Sequence, residues 1–489
     1  MGEWAELGMI IRIYWSLMLG NVVEWYEFTA YGYQAKYMKA NFFSGSSVGV
    51  WLGFACTFLA RPLGAFVLGW IGDRWGRTVS VNISIIGMLV GTVGQGCLPS
   101  QNCGIPWLAN LGLIVLVILR FIQGLCAAGE IGTISTYLTE VSSKSIISRG
   151  ISLVYITAMV GFLCAKFMVF ILEAGLGESA MAAWGWRLPF IFALLPGVTA
   201  VIGRRALPES GMFLEEKANN SKAVDVSVVE KFKQVLTKYW INILVGIGCT
   251  GAYGVLCYGV GVWIQSFLAS SGLSSGDRML ADLISRIVGI FSTVMFGWAA
   301  DKYGVFFVLA LGTVATMVLS LPLWILIAAD PTSFVPVMLG YSIGFGLLQP
   351  WCGALTYHFD VELFPTEVRN TGMAFTFNVA FAIFGGAAPV IALESAEASW
   401  LGPGIFYVLG GALSFLTMSL AFYLERKGKI QLSSVRRNPY YGPLGYDKGI
   451  PPPKVMEDND NMSDDGISSK GTSQADFASE ANKAKANKA

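Results

Sequence analysis

The chain has 489 residues, of which 54% are hydrophobic and 13% charged, and its net charge is +1. An ordinary soluble domain is roughly 25% charged, so this balance excludes a soluble globule. The near-neutral charge gives a nucleic-acid partner no footing. The eight cysteines lie mostly inside apolar stretches and read as small packing residues. Cys97 and Cys103, flanking a short loop, are the one pair able to bridge if that loop faces an oxidising side.

The opening MGEWAELG is acidic and runs straight into an apolar stretch, with neither a cleavable signal nor an Arg-rich presequence. Apolar segments long enough to cross a bilayer then recur, about twelve in all. They fall near 13–35, 48–71, 79–98, 108–133, 150–173, 186–204, 239–269, 279–300, 305–328, 334–357, 370–394 and 402–424. The pattern predicts an all-α polytopic membrane protein. The polar stretch 205–238, rich in Lys and Glu, divides it into six-helix halves, 1–204 and 239–425. Residues 426–489 are a different material, with NPYYGPLGYDKGIPPP and DNDNMSDDG, and the composition predicts a disordered tail.

Charge sets the orientation. With the N-terminus in the cytosol, that side receives Arg74, Arg77, Lys144, Arg149, Arg204, Arg205, Lys302 and Arg369, and the other side only Lys36, Lys39 and Arg278. The positive-inside rule therefore places both termini in the cytosol. In the absence of an organelle presequence, the plasma membrane is the default.

Residues 61–77, RPLGAFVLGWIGDRWGR, carry an apolar run into a tight charged turn. A related string, GWAADKYG, returns at 297–304, and Asp73 and Asp301 keep the same separation as Gly69 and Gly297. Such an internal repeat means two similar membrane halves.

The GDRWGR turn resembles the loop between helices two and three of the major facilitator superfamily. GNVVEWYEFTAYG at 20–32 resembles helix one of its metabolite:proton symporters, which include carriers of proline/betaine, α-ketoglutarate, citrate and shikimate. RFIQGLCAAGEIGTISTYLTE (120–140), GWRLPF with LPES (185–210) and ELFPTEVRNTGMAFTFNVAFAIFGGAAP (362–389) follow in family order. The resemblance implies twelve helices, alternating access and proton coupling. It places Arg120 and Glu130 in the transport machinery, with Glu27 where the family often has Asp. It also implies a cytosolic latch of Gly72, Asp73, Arg74, Arg77 and Asp301, in which Glu140 with Arg149, and Glu362 with Arg369, bridge to the GDRWGR loop, against the alternative of a solvated charge cluster.

An ionisable group at mid-membrane costs about 2.5–3.5 kcal/mol, so each needs a partner or a water-filled cavity. Glu24 and Glu27, three apart, share a helix face. Two carboxylates so close do not both ionise cheaply, which makes them candidates for a proton site, with a structural ion pair as the alternative. Arg61, Arg120, Lys166 and Arg286 are candidate anchors for an anionic group, Arg120 together with Gln123. Arg120 near its helix end could instead snorkel to water. Tyr26, Tyr31, Tyr253, Tyr258, Trp351 and Asn378 are candidates for cavity lining, against the commoner role of aromatics in packing. His358, the single histidine, is expected to pack near the cytosolic end of segment ten.

No HExxH, GxSxG, Walker or paired Cys/His spacing is present, so neither an enzyme nor a metal or other cofactor is expected. The sequence predicts a monomeric secondary transporter moving a small carboxylate-bearing metabolite with protons. The alternatives are a compatible solute such as proline or betaine, and a non-transporting sensor with the tail as its output.

Overall fold

The computed structural model describes residues 3–75, 77–143, 145–204, 228–365 and 368–432. The side chains of Gly72, Asp73, Arg74, Arg77 and Glu140 lie outside that description, as does the tail beyond residue 432. The latch and tail expectations that rest on them are not tested here by geometry.

The described chain is helical throughout. Spans one to six are Trp15–Tyr33, Ser47–Trp75, Arg77–Gly96, Pro106–Val141, Ile147–Ala183 and Gly185–Arg204. Spans seven to nine are Trp240–Ser270, Ser275–Tyr303 and Val305–Ala329. Span ten runs without interruption through Phe334–Val337, Met338–Phe345 and Gly346–Glu362, and is followed by Arg369–Ala398 and Gly402–Arg426. Each matches a segment expected from the apolar runs. The protein is thus a multi-pass, all-α membrane protein.

Lipid-facing surface is written into these helices. Leu52, Leu59, Leu63 and Val67 recur at helical spacing along span two and remain exposed. So do Leu409, Leu413, Leu416 and Leu420 along span twelve. A stripe of this kind has no place in water but is neutral against acyl chains. Trp107, Trp184, Trp240 and Trp400, also exposed, sit at span ends where an amphipathic ring favours the headgroup level.

Two features depart from a plain reading of hydropathy. Residues Glu3–Ile13 form a separate helix, bent by 72° from span one rather than leading straight into it. Its Trp4, Met9, Ile11 and Ile13 are exposed and only Ile10 is buried. The second feature is π-helical winding at Leu256–Trp263, Met338–Phe345 and Phe381–Gly385, in spans seven, ten and eleven. A π turn adds a residue to the helix and re-aims the side chains beside it.

The spans pack closely where glycine removes the side chain. A methyl on Gly64 would strike the Leu125 carbonyl, and one on Gly124 the Thr57 carbonyl, so spans two and four meet backbone to backbone. Spans two, four and five on one side meet eleven, eight and ten on the other. Along that seam Asn378 Nδ2 of span eleven donates to the Ala128 carbonyl of span four at 2.9 Å. All eight cysteines are free, Cys97 and Cys103 exposed and unbridged.

Candidate transport site

Span one carries the acidic groups to the centre. Glu24 and Glu27 are both fully buried. Arg61 of span two places Nη2 3.3 Å from Glu24 Oε1 and lays its guanidinium over the rings of Phe28 and Phe58. Arg61 Nε and Nη1 and Glu24 Oε2 find no hydrogen-bond partner, so the pair is incompletely satisfied.

Glu27 belongs to a second relay. Gln123 Nε2 donates to Glu27 Oε2 at 3.3 Å and to Thr92 Oγ1 at 2.9 Å. The carbonyl end of Gln123 accepts from Arg120 Nη1 at 3.1 Å and from Gln95 Nε2 at 3.3 Å. Arg120, 1% exposed, lies 4.0 Å over the Tyr31 ring, and no carboxylate among the described residues pairs with it. It is buried rather than snorkelled. An Arg without a counter-ion, held by an amide and a ring, can accept an anion at little rearrangement.

Beside this charged centre lies a dry aromatic cluster. Trp25, Phe162 and Tyr258 form a triangle of rings, Trp25 lying 5.6 Å from Phe162 and 6.2 Å from Tyr258, and Phe54, Phe58 and Phe381 close around Tyr258. Tyr253 continues it, its hydroxyl 2.9 Å from that of Tyr357. The Tyr258 hydroxyl is buried without a partner.

The remaining candidates lie elsewhere. Glu130 forms a two-pronged pair with Arg204, both fully buried, and Arg204 Nη1 also donates to the Val81 carbonyl at 2.9 Å. Arg204, counted above among the cytosolic-side charges, is therefore an internal cation. Tyr26 turns outward and donates to the Pro189 carbonyl at 2.7 Å. Trp351 stacks on Phe296 at 4.4 Å and donates to the Val308 carbonyl at 2.8 Å, which makes it a packing residue of spans eight to ten. Arg286 forms its own cluster: it pairs with Asp282 at 3.1 Å and donates to Tyr33 Oη at 3.3 Å and the Gly261 carbonyl at 3.0 Å. Tyr341 donates its hydroxyl to Asp282. Asp282, Tyr33 and Tyr341 were not anticipated. Asp282 had a legible signal, an acid four residues before Arg286 inside an apolar run, whereas nothing distinguished the tyrosines.

At the start of span five, Arg149, expected to bridge to the GDRWGR loop, pairs among the described residues with Asp301, at 2.7 Å through Nε, and with Glu3, at 2.9 Å through Nη2; the charged side chains of that loop lie outside the described residues. Asp301 also accepts from the Ser148 amide at 2.7 Å and the Arg149 amide at 3.4 Å, so a carboxylate from span eight caps the start of span five. His358 bonds Ser148 Oγ at 2.9 Å, a packing role as expected. Arg369 Nε donates to the Phe364 carbonyl at 3.3 Å, and Glu362 is half-buried at the end of span ten. The bent terminal helix joins this knot, Glu6 accepting from Ser143 N and Oγ at 3.0 Å.

Three comparisons with known proteins fit this architecture. The family model described as "Sugar (and other) transporter" matches residues 5–238. The "Glycine betaine/proline/ectoine/pipecolic acid transporter OusA" of Dickeya dadantii is 29% identical over 405 residues, covering 80% of this chain and 79% of that protein. The "Proline/betaine transporter" of Escherichia coli K12 is similar to the same extent, 29% with the same coverage. Among solved structures, the proton:xylose symporter XylE superimposes with a TM-score of 0.69 at 16% identity, over 85% of this chain and 95% of that one.

Proposed function

We propose that this chain is a metabolite:proton symporter of the major facilitator superfamily and that it carries a small zwitterion of the proline or betaine kind together with protons. The observation that supports the reading most is the burial of both signs of charge at one place, Glu24 with Arg61 and Glu27 with Arg120 through Gln123. A zwitterion needs an anchor of each sign; a neutral sugar needs neither. The relatives' names favour the same choice over the carboxylate-bearing metabolite expected first.

Charge counting links proton to substrate. With both glutamates ionised, Glu24, Glu27, Arg61 and Arg120 sum to zero. A proton on Glu27 leaves one positive charge in excess, and the guanidinium of Arg120, which has no counter-ion among the described residues, then attracts a carboxylate more strongly. By linkage, a carboxylate on Arg120 favours the proton on Glu27 by the same free energy. The cationic end of the solute meets Glu24 and the faces of Trp25 and Tyr258, where a desolvated cation–π contact is worth about 2 kcal/mol. In this reading the two six-helix halves rock about the centre, the Arg149–Asp301 contact closes one side, and both termini face the cytosol across the plasma membrane.

The test is uptake of proline, betaine, α-ketoglutarate, citrate and shikimate into proteoliposomes, with and without an inward proton gradient. Gradient-stimulated uptake of proline or betaine is expected. Glu27→Gln should abolish accumulation above equilibrium while leaving downhill exchange. Full gradient-driven accumulation by that variant would remove Glu27 from the coupling.

A further inference from the structure

Away from the face that carries the termini, a cavity of about 440 Å³ opens between spans one, two, five, seven, eight and eleven. Of its two acids, Glu173 holds Lys36 at 3.3 Å and accepts from Tyr37 Oη at 2.9 Å, and Glu397 stands exposed on the span-eleven wall. Two buried polar side chains in the lining are not engaged. Lys166 of span five is 8% exposed, lies over the Tyr33 ring, and has neither an ion pair nor a hydrogen bond among the described residues. Gln265 of span seven is 3% exposed, and both its amide atoms lack a partner. A buried amide left unsatisfied is expensive unless something visits it, and an unpaired ammonium on the same cavity wall is a ready anion anchor.

We propose that this vestibule is a first binding station for the solute, in which Lys166 and Gln265 hold its carboxylate before it passes to the charged centre. The inference rests on the zwitterion reading above and names the part of the molecule recognised on entry. The volume falls in the range of small-molecule sites, roughly 300–1,000 Å³, yet leaves room for water around a solute as small as betaine. That suits capture and release better than tight holding. Buried Trp51 and Trp263 also line the cavity and offer ring faces to the cationic end. The two carboxylate donors come from opposite sides of the 205–227 interval. A bound carboxylate therefore favours the arrangement in which spans five and seven approach each other.

Glycine betaine and choline share a trimethylammonium head and differ in the carboxylate, so their ratio reads this contact alone. Binding of each is measured by equilibrium dialysis on the full-length protein in lipid nanodiscs, with betaine uptake kinetics alongside. Wild type should prefer betaine at least tenfold. Lys166→Met should erase most of that preference and raise the KM for betaine about tenfold with kcat little changed, and Lys166→Arg should restore the preference. Gln265→Leu should act in the same direction, and the double variant should be no worse than Lys166→Met, because one carboxylate is shared. An unchanged betaine-to-choline ratio in Lys166→Met, or fully additive losses in the double variant, would overturn the proposal. Should Lys166→Met fail to fold, Gln265→Leu alone decides by the same ratio. A wild type that takes up neither proline nor betaine would instead strike the proposed function.

Discussion

The buried ionic residues divide by how completely they are satisfied. Arg204 and Glu130 satisfy each other with two contacts, and the Val81 and Ser16 carbonyls take further donors. Such a pair is structural, and breaking it is worse than never having it. Arg204→Met should destabilise the protein by about 3–5 kcal/mol because Glu130 is left charged and dry. Adding Glu130→Leu should recover much of that loss. Denaturation of the purified single and double variants in mixed micelles checks the order, and equal losses would refute it. Arg61 and Arg120 are the opposite case, with buried donors unused. A solute able to fill those vacancies gains affinity that a fully satisfied site has none left to give.

At the scale of the helix, the sequence declared most of what was needed. Apolar runs located the membrane helices, ten of them or up to eleven among the described residues by length and composition, though spans four and five run about two turns past their expected ends, and RPLG, RFIQG and the helix-one glutamates sit where their charges meet. What periodicity could not give is the sense of each side chain. Tyr26 and Trp351 look like Tyr31 and Tyr258 in a string of letters, yet one bonds span six and the other stacks inside spans eight to ten. The π turns in spans seven, ten and eleven shift the register locally, so a constant 3.6-residue count misassigns the faces around Tyr258 and Tyr341. The glycine seams were half legible: small residues mark close approach, but not against whom. Because Gly124 faces the Thr57 backbone, the neighbour has no flexible end to withdraw. Gly124→Val should separate spans two and four and lower the melting temperature well beyond the effect of Gly8→Val, which touches nothing. Equal melting temperatures would show that the seam yields.

For the molecule as a whole, the described contact that ties span eight to the start of span five gathers on one carboxylate. Asp301 takes two backbone amides and a guanidinium from the start of span five. Asp301→Asn should weaken all three bonds together. Hydrogen exchange at the Ser148 and Arg149 amides should then accelerate at least tenfold relative to the core of span five. Exchange that does not change would mean that other contacts hold the two elements together.

The bent terminal helix gives that contact an unexpected economy. Arg149 is held by two carboxylates of different character: Asp301 is 6% exposed and belongs to the far side of the seam, whereas Glu3 is 51% exposed and travels with span one. When the seam parts, Arg149 loses one counter-ion but keeps the other. The usual penalty for stripping a buried cation, which would lock such a joint, would therefore be softened by a hand-over. Glu3 behaves as a spare contact, set against water and open to screening by salt. A joint built this way would be firm when shut and cheap to release.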